Sequence, residues 1–189
     1  MAFVGRLHSS KGVHVVIAAL VGTRALPITL DVYGIVQDAE AERYRDQLRA
    51  MAAADPRIRF CTPLPRERVV DTLADYDLTV VPSQWLETGP LVVLESFAAG
   101  VPVVGSNLGG IAELVRHDRD GWLVPNDDSR AWSSALVRFA SDRAHVERLR
   151  VGVERPRSTD DVARDMVAVY ESVAPAAARR GFRDTAGIA

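Results

Sequence analysis

Six short apolar, β-branched runs alternate with amphipathic stretches along nearly the whole chain. That alternation restricts the possible folds more than any other feature. The runs cover residues 2–5, 28–34, 58–60, 78–82, 101–105 and 122–124. Most end in Gly, Pro or a polar turn, as short strands buried on both faces of a parallel sheet do. Helical patterning fills the intervals, at 11–21, 39–54, 66–74, 91–99, 111–116 and 129–139. This order predicts an α/β fold: a Rossmann-like doubly wound parallel sheet of about six strands with helices on both faces.

Local signals set several boundaries. Pro90 suits the first turn of the helix at 91–99, Gly100 its C-terminal cap, and Pro102 stops it. Ser129 is placed to cap the next helix. A last helical stretch covers 160–178, and residues 179–189 turn polar. The 189 residues suffice for one domain with a full core, and 48% hydrophobic with 25% charged residues is a globular balance.

A formal net charge of -2 argues against nucleic acid or an anionic membrane as a general partner, so the local cluster Arg6, His8, Lys11 stands out. Cys61 is the only cysteine. It excludes an intramolecular disulfide, argues against a cysteine metal site and fits a reducing cytoplasm. No apolar run has the length of a bilayer span, and the first residues lack a signal peptide's apolar stretch. Phe3 and Val4 follow Met1 almost at once, as though the chain began inside a strand.

Ligands of open α/β sheets bind outside the carboxyl ends of the strands. Gly5-Arg6, Gly34-Ile35, Cys61-Thr62, Ser83-Gln84 and Ser106-Asn107 all fall at such ends and share one rim. Glu87 and Glu95, with seven residues between them, belong to it. Glu87 lies on a loop and Glu95 about one turn into a helix, whose N-terminus attracts anions. Taken singly, each group has an ordinary explanation. Glu95 near a positive dipole end is worth about 0.3–1 kcal/mol, Glu87 reads as surface charge, and the basic loop as solvated. Taken together, they suit a ligand carrying both sugar hydroxyls and phosphates.

Within that rim Gly5 lets the backbone approach a ligand, Arg6 offers a planar fork to phosphate, and Lys11 a point charge at a helix start. Gly89, Leu91 and Val92 supply backbone N–H groups, and Pro90 none. The turn Asn107-Leu108-Gly109-Gly110 reads as structural support with modest pocket contact. His14 belongs to the first helix, whereas His117 and His145 read as surface residues. Trp85 reads as a wall or interface residue, and Trp122 and Trp132 as core. No histidine spacing supports a metal site.

The motifs occur in a recognisable order. Phe-Val-Gly-Arg-Leu-x-x-x-Lys-Gly spans 3–12, Val-Tyr-Gly 32–34, and Pro-Ser-x-Trp-x-Glu-x-x-Pro-Leu-Val-Val-Leu-Glu-Ser-Phe-Ala-Ala-Gly-Val-Pro-Val-Val 82–104. Gly-Gly-Ile-Ala-Glu at 109–113 and Asp-Gly-Trp-Leu-Val at 120–124 follow. Over about residues 3–172 the chain resembles the C-terminal, donor-binding domain of retaining GT-B glycosyltransferases of glycosyltransferase family 4, also called glycosyl transferases group 1.

The resemblance implies that Arg6 and Lys11 bind the donor diphosphate and that Glu95 holds the ribose hydroxyls. It places Glu87 at the transferred sugar, helped by backbone groups from Thr88 through Gly89, Pro90 and Leu91 to Val92. Gly5 and Thr62 also join the donor site, with the strand end at 60–62 near the base. It implies no cofactor and no metal, a nucleotide-diphosphate sugar donor (UDP or GDP), and a cytoplasmic enzyme of carbohydrate biosynthesis without nucleic-acid partners. It divides the chain into a nucleotide-sugar-binding domain at 1–174 and a tail at 175–189. The N-terminal acceptor domain of a GT-B enzyme is missing, and any peripheral membrane contact would come through it. This chain alone is therefore expected to transfer sugar poorly or not at all. The alternatives are a non-catalytic nucleotide-sugar-binding module, or another GT-B-like enzyme such as a nucleotide-sugar epimerase. Glu87, which pure binding would not require, favours transfer.

Overall fold

The computed structural model describes residues 1–53 and 55–173. Six strands form one fully parallel sheet: β1 (Ala2–Arg6), β2 (Leu30–Ile35), β3 (Ile58–Cys61), β4 (Thr79–Val81), β5 (Val103–Ser106) and β6 (Gly121–Val124). Their order across the sheet is β3-β2-β1-β4-β5-β6. The chain runs outward from β1 to β3, then restarts beside β1 with β4 and runs outward the other way. Loops at the carboxyl ends of β1 and β4 diverge at that reversal and leave a crevice between them.

Alternate residues of each strand serve opposite faces. Phe3, Leu30, Val32, Val80, Val104 and Val124 join the larger core with α1 (Val13–Val21), α2 (Ala39–Ala52) and α6 (Ser129–Ser141). Ile17, Leu20, Leu48, Trp132 and Leu136 fill it and are fully buried. On the other face Val81 and Val103 pack with Val93 and Phe97 of α4 (Leu91–Ala98) and Ile111 of α5 (Gly109–Leu114). Ala2 packs there with Val69 and Leu73 of α3 (Val69–Leu73).

The six strands match the sequence reading closely, but several helices begin elsewhere than expected. The stretch from residue 11 is a single 3-10 turn, Ser9–Lys11, followed by Gly12 in the left-handed region (φ 69°) before α1 starts. Lys11 therefore sits on a turn rather than in α1. The stretch at 66–74 likewise opens with a 3-10 turn, Arg66–Arg68. Pro90 is the extended N-cap of α4 and not a residue of its first turn. Asp128, not Ser129, caps α6, accepting from the N–H groups of Arg130 and Ala131 at 3.0 and 2.9 Å.

One helix escaped sequence reading: α7 (Arg143–Gly152) begins one residue after α6 ends, with Asp142 between them. Its apolar stripe is narrow, with Val146 and Leu149 buried among charged neighbours. It also carries His145 inward, which corrects the surface placement expected of that residue. His145 is 1% exposed, its Nε2 lies 2.6 Å from Asp118 Oδ1, and its Nδ1 accepts from Arg138 Nε at 3.0 Å.

The chain divides into two units, residues 1–155 and residues 156–189. The sheet and α1 to α7 make up the first. In the second, α8 (Thr159–Val173) carries Asp160 and Asp161 in its first turn, where they suit the helix dipole. Arg157 pairs with Asp165, and Arg164 with Asp161. The end of the last helix expected at 178, and the tail at 175–189, lie outside the described residues. No helix among the described residues is long and apolar enough to cross a membrane.

Candidate active site

A cleft of about 570 Å³ opens at the carboxyl ends of β1 and β4. Gly5 and Arg6 reach it from the end of β1, and Lys11 from the turn before α1. Ser83 and Glu87 enter from the loop after β4; Gly89, Pro90, Leu91, Val92 and Glu95 follow at the start of α4. Residues far apart in sequence meet here because β1 and β4 are neighbours in the sheet.

Glu87 is the best-held side chain of the cleft. Its Oε1 accepts from Lys11 Nζ at 2.5 Å across 76 residues of sequence, and from Ser83 Oγ at 2.8 Å. Lys11 and Glu87 are both largely buried, with side chains 24% and 19% exposed. Burial pushes the Glu87 carboxyl up. The hydrogen bonds from Lys11 and Ser83, with the charges of Lys11 and Arg6, outweigh burial and hold it below the usual range. The Arg6 side chain forms no hydrogen bond or ion pair among the described residues.

Glu95 behaves oppositely. Burial raises its pKa, and the charge of Arg66 offsets only part of that rise. One cleft therefore contains two carboxyl groups shifted in opposite directions. Glu87 is ion-paired and held below the usual range, whereas the Glu95 side chain has no hydrogen-bond partner among the described residues and burial holds its carboxyl above the usual range. Such divergence of neighbouring acids is a mark of functional sites. The chemistry available is anion binding by Arg6 and Lys11, hydroxyl binding by Glu95, and a fixed negative charge at Glu87.

Of the residues expected at the site, Gly5, Arg6, Lys11, Glu87, Gly89, Pro90, Leu91, Val92 and Glu95 line this one cleft. Thr88 lies beside it on the exposed part of the loop. Thr62 lines a neighbouring pocket of about 380 Å³ instead, with Phe60, Cys61 and Arg49. Arg49 of α2 stands over the Phe60 ring, 5.6 Å from its centroid. The chain returns to the main cleft only at Leu64 and Arg66. Arg66 was not anticipated; its only sequence cue is a place just past the carboxyl end of β3. The turn at Gly109 and Gly110 supports the site as expected, but by gripping the Glu87 segment rather than lining the cleft. Among the described residues no group of three or more His, Cys, Asp or Glu is placed to hold a metal ion.

The family whose sequence profile matches residues 1–142 is described as Glycosyl transferases group 1. The chain is 31% identical over 184 residues to D-inositol 3-phosphate glycosyltransferase of Corynebacterium urealyticum, covering 92% of this chain and 43% of that protein. It is 33% identical over 187 residues to glycogen synthase of Mycobacterium tuberculosis, covering 97% and 44%. Among solved structures, Anabaena HepE in complex with UDP and glucose superposes with a TM-score of 0.79 at 21% identity, over 91% of this chain and 48% of that one. Sucrose-phosphate synthase of Thermosynechococcus elongatus gives 0.78 at 26% identity, over 91% and 44%. The fold is thus the Rossmann-like half of a GT-B architecture. The chain belongs to the group 1 glycosyl transferases. It spans less than half the length of these relatives.

Proposed function

We propose that this chain binds the nucleotide-sugar donor of a retaining glycosyltransferase, with UDP-glucose the first candidate. The observation that carries the reading is the convergence of Arg6, Lys11, Glu87 and Glu95 on one cleft at the β1/β4 reversal. Two UDP-related ligands occur in the HepE structures, and their fold matches this one. The donor diphosphate lies against Arg6 and Lys11, the ribose hydroxyls donate to Glu95, and the transferred sugar lies toward Glu87.

Breaking the bond between sugar and diphosphate moves negative charge onto the leaving phosphate. Arg6 and Lys11 bind that charge more strongly than the intact donor, and only such differential binding accelerates transfer. Glu87, kept ionised by Lys11 and Ser83, supports the positive character that grows on the sugar. The acceptor site belongs to a second domain, in keeping with the length of the relatives.

Calorimetry with UDP-, GDP- and ADP-sugars tests the reading directly. Saturable binding of one series, weakened by Glu95→Gln, is expected; no binding of any series would refute it. Transfer of sugar by this chain alone is expected to be negligible, and measurable transfer would overturn the placement of the acceptor site elsewhere.

The raised pKa of Glu95 gives a pH dependence with a definite sign. Ribose hydroxyls donate to a carboxylate, so binding favours the ionised form. As pH falls through the raised value, Glu95 takes up a proton and affinity declines, beginning above the usual glutamate range. Glu87, shifted the other way, stays ionised throughout that interval. Binding isotherms across mildly acidic pH are expected to show this decline in the parent chain and not in Glu95→Gln. An equal decline in both would remove Glu95 from the ribose site.

A further inference from the structure

The tip of the loop between β4 and α4 carries no buried apolar side chain. Trp85, Leu86, Thr88 and Gly89 are all exposed, so no apolar side chain from these positions anchors it. Glu87 nevertheless points inward and is tightly partnered. Its carboxylate is held by Lys11 and Ser83, from two different segments. Its backbone is held by a third, because the Gly110 N–H donates to the Glu87 carbonyl at 2.6 Å.

Side-chain size at 109 and 110 decides whether that third grip exists. A Cβ on Gly110 would stand 2.6 Å from the Glu87 carbonyl oxygen, 3.2 Å from Pro90 Cδ and 3.2 Å from the Thr88 carbonyl carbon. A Cβ on Gly109 would meet the Glu87 oxygen and nitrogen at 3.1 and 3.2 Å, and Gly109 also has a φ of 51°. The α5 turn thus lies flush against the peptide units on both sides of Glu87. Only glycine leaves room for that approach.

We infer that Gly110, with Ser83, is a positioning residue that sets where the Glu87 carboxylate stands over the transferred sugar. The inference rests on the donor-binding reading for its sugar, but the grip on Glu87 is independent of any ligand. Gly110 lies outside the cleft and acts only through Glu87 and the adjoining segment. Alanine at 110 keeps the N–H donor, so it changes the position of the loop rather than deleting the bond.

The experiment compares the parent chain with Gly110→Ala and Ser83→Ala, with Glu113→Ala as a control on the exposed side of the same helix. Calorimetry with UDP and UDP-glucose separates the nucleotide from the sugar. Both variants are expected to change UDP affinity less than UDP-glucose affinity, because Arg6, Lys11 and Glu95 keep their side chains and only the Lys11 contact with Glu87 loosens. They lose about fivefold or more of the extra affinity that glucose confers. In parallel, carbon-13 NMR titration follows the Glu87 carboxyl without any ligand. In Gly110→Ala it moves up toward the ordinary glutamate value, because displacement weakens the contacts with Lys11 and Ser83. The Glu113→Ala chain leaves both readouts at the parent values.

An unchanged Glu87 titration in folded Gly110→Ala overturns the inference. So does an unchanged ratio of UDP-glucose to UDP affinity in both variants. If Gly110→Ala does not fold, the affinity ratio in Ser83→Ala decides, and an unchanged ratio again overturns it. If the parent binds neither ligand, the donor-binding reading falls, and the Glu87 titration alone then decides the fate of the positioning role.

Discussion

Replacing Lys11 with alanine is expected to weaken UDP binding by about 10- to 150-fold, the equivalent of the roughly 1.5–3 kcal/mol of a hydrogen bond to a charged group. Lys11 is worth more to an anionic ligand than its single charge. In the folded chain its ammonium lies 2.5 Å from Glu87 Oε1 and neutralises that carboxylate. Lys11→Ala removes the cation and leaves an unpaired, partly buried carboxylate beside the place the diphosphate would take. Both changes oppose an anion. The double variant Lys11→Ala/Glu87→Gln is therefore expected to bind UDP more tightly than Lys11→Ala alone. Residues in direct contact break additivity in this way. Arg6→Ala, which loses a cation without exposing an acid, should cost less than Lys11→Ala. Calorimetry at constant salt measures all four chains. Unchanged UDP affinity in Lys11→Ala would remove Lys11 from the phosphate site.

The second large effect concerns folding. Gly12→Ala is expected to destabilise the chain by about 3 kcal/mol or more. Gly12 has a φ of 69°, and a non-glycine residue pays roughly 1–2 kcal/mol there. A Cβ at this position would also stand 1.8 Å from the Pro82 carbonyl oxygen and 2.8 Å from Gln84 Nε2. Backbone cannot yield as a flexible side-chain tip can, so overpacking adds about 1–3 kcal/mol. The same contact joins the loop carrying Lys11 to the loop carrying Glu87, where the Gln84 N–H also donates to the Ser10 carbonyl at 2.6 Å. Urea unfolding followed by circular dichroism measures the loss. Gly89→Ala is a fair control: nothing lies within 4 Å of a Cβ there. Equal stability of Gly12→Ala and the parent would show that the two loops are not wedged together.

These loops show how much of the site could be read from sequence. Arg6, Lys11, Glu87 and Glu95 could be set on one rim from sequence because each falls at a strand end or helix start, although taken singly each has an ordinary explanation. Ser83 was visible as a residue at the end of β4, but nothing in its neighbourhood says that its hydroxyl reaches Glu87. Arg66 and Thr62 could not be told apart by sequence, since both follow β3. Thr62 lines the neighbouring pocket with Phe60 and Arg49, whereas Arg66 lines the cleft with Glu95.

His145 repeats the lesson at the far side of the molecule. Only Asp142 separates α7 from α6, with no Gly or Pro to mark a break, so the sequence carries no sign of a second helix. With it went the inward direction of His145 toward Asp118 and Arg138.

The sequence by itself determined the six strands, the helices between them and the rim on which the charged residues stand. Those features follow from short-range physics: alternation of side chains along a strand, the helical period, and the stops imposed by Gly and Pro. Only the tertiary structure decided that Lys11 would pair with Glu87, and that Gly12 and Gly110 would pack against the same loop, at residues 82–84 and at residues 87–90. Those contacts join segments that local propensity treats as unrelated. They exist because the sheet reverses its order between β1 and β4, which makes neighbours of residues 76 positions apart.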